Sequence, residues 1–263
     1  MMFEHGDEIT KASADFFDAN YNLVLLHLND GVKKYLGSKD NRTCRFCGKN
    51  DKETIFRNIS HAIPEFIGNK LLIAYYECDF CNSKFSTLLE NHLAHYMNLE
   101  HTLSQVKGKK GVPSFKSNKK LSRIDVGKES VELSNFIDDT IAVINEKEKT
   151  LTITANRPSY IPVAVFKCFV KMALTILPNE ELKYFEKTLD WINEEKHDET
   201  EYKFHNLNLL KSFKSGVHPF NFVTLGLLKR KLASTDNVPY MLFFVAYSNY
   251  MFQIHLPLCT EDL

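Results

Sequence analysis

The chain is expected to be an α+β protein, and three features of its 263 residues point there. Two CxxC pairs lie in its first third, helix-period apolar segments follow each other through its middle, and β-rich runs crowd its C-terminal end. A hydrophobic content of 44% with 12% aromatic residues is enough for a substantial core. Lys plus Arg and Asp plus Glu are equal at 33 each, so no global field draws the chain to nucleic acid, and any such attraction has to come from a local patch.

Taken in order, residues 1–41 form a helical lead-in. Phe16, Phe17, Leu23, Leu25, Leu26, Leu28, Val32 and Leu36 recur mostly at helical spacings, with breaks at Asn20 and Gly31, which predicts two short helices. Residues 42–104 make a compact metal module: a knuckle turn, a strand near Glu53 to Ser60, a loop from Pro64 to Lys70, a second short strand, and a helix from near Asn82 to about Asn98. Residues 105–128, with Lys107, Lys109, Lys110, Lys116, Lys119, Lys120, Arg123 and Lys128 among Gly, Pro and Ser, make up a basic linker.

Residues 129–263 are expected to form an α+β accessory or regulatory domain. Ser130–Leu133, Ile141–Ile144 and Leu151–Ala155 are short β-type runs that form a meander or a hairpin with a neighbour. Pro162–Ile176 is a nearly uniform apolar helix, ended by Pro178 and followed by an amphipathic one carrying Leu182, Phe185, Leu189 and Ile192. After a charged loop around Glu194 to Glu201 come strands at Phe222–Leu228, Tyr240–Tyr247 and Tyr250–His255. The N-terminal Met-Met-Phe-Glu-His-Gly-Asp lacks a basic and an apolar region, and Lys167 and Lys171 interrupt the apolar stretch from Ile161 to Leu177. Neither a signal peptide nor a membrane span is therefore expected.

The chemistry is concentrated between the two knuckles. Cys44 and Cys47 are thirty residues from Cys78 and Cys81, and four thiolates in two such pairs make a tetrahedral zinc site. Cys168 and Cys259 are left over, so a disulfide framework is not expected and a reducing cytoplasm fits. Inside the staple sits His61, the side-chain type that most easily accepts a proton at neutral pH, and Asn82 follows the second knuckle directly. Zinc would hold the two near each other.

These residues resemble the zinc-stapled members of the HNH, or ββα-metal, endonucleases, whose module is treble-clef-like. The matching pattern is Cys44-Arg-Phe-Cys47-Gly48, then His61-Ala-Ile-Pro64-Glu-Phe-Ile-Gly68, then Cys78-Asp-Phe-Cys81-Asn82-Ser-Lys-Phe85. The resemblance covers about residues 42–98. It implies a phosphodiester hydrolase acting on DNA, with RNA left open, in which His61 activates water and a hard cation, Mg²⁺ or Mn²⁺, is bound partly by Asn82. Asn69 is the candidate for the middle asparagine that orients the base. Ser60 stands where most of these nucleases carry a metal-binding acid, and Glu53, Glu90, His92 and His95 are the nearby groups that could supply the missing charge. Glu90 and His92 lie about 12 and 15 Å along a helix from Asn82, too far to share one ligand shell.

As a phosphate-contacting arm, Lys107, Lys109, Lys110, Lys119 and Lys120 are expected to strengthen nucleic-acid binding. The resemblance also implies a prokaryotic defence or restriction setting, with the C-terminal region supplying target choice, oligomerisation or control. Two other readings stay open: a zinc-stapled module that binds nucleic acid without cleaving it, and a structural element of a protein-interaction factor.

Overall fold

The computed structural model describes residues 8–127, 130–197 and 207–262. Helix α1, Glu8–Asn20, leads into strand β1, Tyr21–Leu28, which replaces the second lead-in helix expected from periodicity. The reason is non-local. β1 pairs antiparallel with β10, Phe220–Arg230, from Tyr21 opposite Arg230 to Leu28 opposite Thr224, and a strand partner two hundred residues away leaves no trace in local spacing. Gly226 serves this pairing, because a Cβ there would sit 2.7 Å from the Leu25 carbonyl oxygen and from the Phe244 ring.

Beyond β10 the sheet continues antiparallel through β11, Met241–Ser248, and β12, Tyr250–His255, to β9, Leu210–Phe213. Tyr247 faces Tyr250 across a tight reversal in which Ser248 takes a left-handed φ of 51°. Helix α5, Pro162–Ile176, lies against this sheet, with the Phe169 and Phe252 rings 4.9 Å apart. From Ala164 on, every residue of α5 is buried, Lys167 and Lys171 included. Lys167 lies 5.0 Å from the Trp191 ring of helix α6, Glu186–Asn193, and burial pushes its ammonium down to about 8.

Smaller pieces surround this body. β2, Lys34–Leu36, runs parallel to β3, Leu72–Ala74. The segment read as a linker holds β4, Phe115–Lys116, and β5, Arg123–Val126, and these pair with β6, Val131–Ser134, in a three-stranded sheet. Phe115 and Ile124 are 1% and 0% exposed, so the apolar positions among the lysines are core positions. Lys128 lies outside the described residues. β7, Ala142–Asn145, and β8, Thr150–Ile153, form the expected hairpin, while β6 joins β5 instead. One continuous apolar cluster runs from Cys44, Phe46 and Ile63 through Phe169 and Trp191 to Phe243 and Phe252. No helix among the described residues is long and apolar enough to cross a membrane.

His101 lies inside this body, 2.9 Å from the Tyr247 hydroxyl, and burial pushes its imidazole down to about 3. The unfolded chain protonates near the ordinary 6.5 and the folded one near 3, so between those values the unfolded state holds more protons. Stability from this group is complete above pH 6.5 and declines on acidification by up to about 1.4 kcal/mol per pH unit. Urea unfolding of wild type and His101→Gln between pH 4 and 7 is expected to give a steeper acid decline in wild type. Equal slopes would remove His101 from the account.

Candidate active site

The first knuckle is a tight turn. Thr43 bridges Asn50, the Lys49 carbonyl accepts from the Cys44 amide at 2.8 Å, and Gly48 takes a left-handed φ of 70° while its amide donates to the Cys44 carbonyl at 2.8 Å. The second knuckle is itself the first turn of helix α2, Asp79–Phe85, so the helix starts three residues before the expected Asn82. Cys78 is its N-cap, its sulfur accepting from the Cys81 amide at 3.5 Å.

The four sulfurs of Cys44, Cys47, Cys78 and Cys81 all lie within 4.8 Å of one another. Cys47 and Cys78 are 3.8 Å apart. A tetrahedron with zinc–sulfur bonds of about 2.3 Å has edges of about 3.8 Å, so the spacing fits that ion. Four soft thiolates leave no open position, which makes this a structural site.

The knuckles also brace the rest of the fold. Arg45, inside the first, donates to the carbonyls of Leu174, Thr175 and Leu177 at 2.7, 2.9 and 2.8 Å, and to the Asn179 side chain at 2.6 Å. Those are the carbonyls at the end of α5 that have no intrahelical partner, where a cation is favoured. Tyr76, stacked 4.1 Å from the guanidinium, gives its hydroxyl to Thr175. Lys84 reaches the C-terminal Asn193 carbonyl of α6 in the same way.

Between the knuckles, the strand expected over Glu53–Ser60 does not form. Its backbone groups are bonded elsewhere: the Asp79 amide donates to Ile55, Arg42 donates to Phe56 at 2.7 Å, and Asn58 donates to the Asp79 carboxylate at 3.0 Å. Pairing begins only at Ser60–Ala62, where Ala74 donates to Ser60 at 2.8 Å and Ala62 to Leu72 at 3.0 Å, placing His61 opposite Ile73 of β3. Pro64 then opens a single helical turn, Glu65–Ile67, closed by Gly68 at φ 95°.

Asn69, 1% exposed, clamps this loop. Its amide nitrogen donates to Ile63 and Leu72 at 2.8 and 3.3 Å, and its oxygen accepts from Leu71 and Leu72 at 3.2 and 3.1 Å. It ties the two ends of the Ile63–Leu72 loop together rather than touching the imidazole. Ser60 is 1% exposed and donates to the Glu77 carbonyl at 3.3 Å, so its hydroxyl faces the interior.

His61 and Asn82 are half-buried, and neither side chain has a hydrogen-bond partner among the described residues. Burial pushes the His61 imidazole below its ordinary 6.5. Glu65 opposes that shift, while Lys171, Lys109 and Lys33 add to it. Glu65 was not among the expected site residues; the available signal was an acid inside the His61-to-Gly68 motif. Of the lysine stretch, Lys109 acts on His61, whereas Lys119 donates to the Asp138 carbonyl at 2.9 Å and Lys120 holds a left-handed turn between β4 and β5. Lys107 and Lys110 are exposed.

The helix after Asn82 continues through a wider π turn at Ser86–Glu90, then α3, Asn91–Tyr96, and α4, Asn98–Leu103. Its polar groups have other work. His92 accepts from the Ile161 amide at 3.1 Å, and His95 meets the Ser159 carbonyl at 2.8 Å, so both fix the entry to α5. Glu53 accepts from Asn50 at 3.0 Å in the first knuckle.

Two antiparallel strand segments followed by a helix, stapled by four sulfurs, define a module of the ββα-metal type. Residues 44–98, well under half of the chain, match the family model described as HNH endonuclease. No curated protein and no solved structure matches the chain. The match makes nuclease chemistry the expected activity of this segment, with a nucleic acid as its substrate class.

Proposed function

We propose that the protein is a metal-dependent endonuclease that hydrolyses phosphodiester bonds in DNA, with His61 as general base. The observation that carries this reading is an unpartnered, half-buried imidazole, held neutral by burial, at the strand turn of a segment that matches HNH endonucleases. His61 takes a proton from water as its oxygen attacks phosphorus, and the bond to the leaving oxygen breaks. Asn69 acts as a positioning residue, closing the Ile63–Leu72 loop that follows the base.

Ser60 has its hydroxyl turned inward, which argues against it as a metal ligand. The hard donor that acts on His61 is the Glu65 carboxylate, and the Asn82 amide oxygen is the other candidate; such oxygen groups suit Mg²⁺ or Mn²⁺ far better than zinc. When bound, that ion supplies positive charge for the leaving oxygen. Lys109, whose charge acts on His61, and the exposed Lys107 and Lys110 would meet phosphates of the bound strand. A defence or restriction role is supported only by the resemblance of the module. Helices α5 and α6 are suited to control because the first knuckle grips them directly.

The test is plasmid nicking by wild type and His61→Ala at equal zinc content, with Mg²⁺, Mn²⁺ or EDTA. Cleavage should require the added ion and fall about 10²–10⁴-fold in the variant. DNA binding without cleavage in any of these conditions would favour the non-cleaving binding module, a reading to which the inward-facing Ser60 lends weight. The pH profile gives a further check. His61 must be neutral to act and its pKa is lowered, so the acid fall in rate should begin below pH 6.5. A fall beginning above 6.5 would assign the base elsewhere.

A further inference from the structure

A cavity of about 420 Å³ opens where the loop after His61 meets the C-terminal sheet. Its volume lies in the range of small-molecule sites. Ile67 and Gly68 of the His61 loop form one side, and Phe220, Phe222 and Val223 of β10 form another. In a chain with equal numbers of acids and bases, none of the lining residues is acidic, whereas Lys70, Lys107 and His218 all border the space. The ligand that suits such a rim is an anion.

Two further observations narrow its class. Asn29, Gln105 and Asn221 line the space with amides, the groups that pair with the edges of bases. Phe222 is 52% exposed, offering an aromatic face on which a planar ring can stack.

The wall is also built rather than incidental. Gln105, His218 and Ser248 all line it with left-handed φ values of 51°, 48° and 51°. Gln105 closes the end of α4 and Ser248 the β11–β12 reversal, turn positions that fix the backbone of the wall. Here His218 meets the Ser248 hydroxyl at 3.1 Å, Ser248 donates to the Ser104 carbonyl at 2.9 Å, and Asn249 ties down Lys214 and Gly216 at 2.9 and 2.8 Å.

We propose that this cavity binds one nucleotide unit, its phosphate against Lys70 and Lys107 and its base between the amides and Phe222. The unit comes either from a free mononucleotide or from a strand running past His61. Occupancy bears on the Pro64–Gly68 loop directly, since Ile67 and Gly68 belong to both.

The experiment is calorimetric titration of the full chain, zinc loaded and in EDTA at a level that spares the zinc. The probes are AMP, GMP, CMP and UMP and their deoxy forms, with inorganic phosphate and adenosine as partial probes. Because no cleavage is involved, the outcome is independent of whether the nuclease reading holds. At least one mononucleotide should bind more tightly than either partial probe. The Lys70→Glu/Lys107→Glu protein should bind it at least tenfold more weakly, with Asn29→Ala and Phe222→Ala also weakened. Both lysines are exposed, so unchanged zinc content and thermal midpoint serve as the folding control. Tenfold tighter binding of a short single strand than of the mononucleotide, lost in the same variants, identifies the strand as the source; equal or weaker strand binding identifies the free nucleotide. No binding of any nucleotide or strand by wild type, or equal binding by the variants, would overturn the proposal.

Discussion

Cys78→Ser protein is expected to lose its stoichiometric zinc and with it the fold of residues 42–104. Cys44, Cys78 and Cys81 are 1%, 0% and 1% exposed and belong to the same apolar cluster as α5 and the large sheet. Structural zinc binding contributes on the order of 10 kcal/mol to the folding of small modules. Loss of even part of that would lower the thermal midpoint of a chain this size by at least about 10 °C. The damage should spread, because Arg45 caps the end of α5 from within the first knuckle and releases it when the knuckle opens. Metal analysis and thermal unfolding are the measurements, with Cys168→Ser as comparison. Cys168 is fully buried in α5 and is not one of the four clustered sulfurs, so its variant should keep zinc at one per chain. A Cys78→Ser protein with one zinc per chain would refute the four-sulfur assignment.

Lys171→Ala should destabilise the protein by about 3–5 kcal/mol, the scale of breaking a buried ion pair from one side. Lys171 on α5 and Glu77, one residue before the second knuckle, meet at 2.9 Å with side chains 1% and 0% exposed. Burial alone would push the Lys171 ammonium down, but Glu77 and Glu90 hold it up and keep it charged. Removing the lysine leaves a carboxylate in the core whose second oxygen already lacks a hydrogen-bond partner among the described residues. The double variant Glu77→Leu/Lys171→Met should recover most of the loss, since apolar groups of similar volume replace such pairs well. Denaturant unfolding of the single and double variants decides it. A double variant no more stable than Lys171→Ala would mean that packing, not charge, sets the cost.

Most of the nuclease-like site was readable along the chain because its parts are local. A CxxC turn is a short-range object, and the four cysteines, His61 and Asn82 fall inside a segment of fewer than sixty residues whose order already resembles an HNH module. What reading along the chain could not supply was side-chain direction. Ser60 and Asn69 looked like polar groups available for chemistry, yet one is turned inward to the Glu77 carbonyl and the other is fully engaged with backbone. The influence of Glu65 on His61 depends on a helical turn that folds the chain back by one step.

The strands of the C-terminal sheet were legible for the same reason as the knuckles. Tyr240–Tyr247 is a run of aromatic and aliphatic residues, Tyr250–His255 alternates with period two, and α5 declares itself by an apolar run broken only by Lys167 and Lys171. β1 did not, because Leu23 to Leu28 become a strand only through a partner at Thr224–Arg230. The lysine-rich segment misled in the opposite way: its charge count suggested a solvated tether, while Phe115 and Ile124 between the charges pack into a sheet. The amino-acid sequence alone determined the four-cysteine staple, the candidate base inside it and the main helix and strands, all of them properties of neighbours. Only the tertiary structure decided how α5 is gripped by the knuckles, where Lys171 finds its counter-ion, and that a cation-rimmed cavity adjoins the His61 loop. Each of these depends on contacts between residues far apart in the chain, and their free energy comes from burial that no local pattern records.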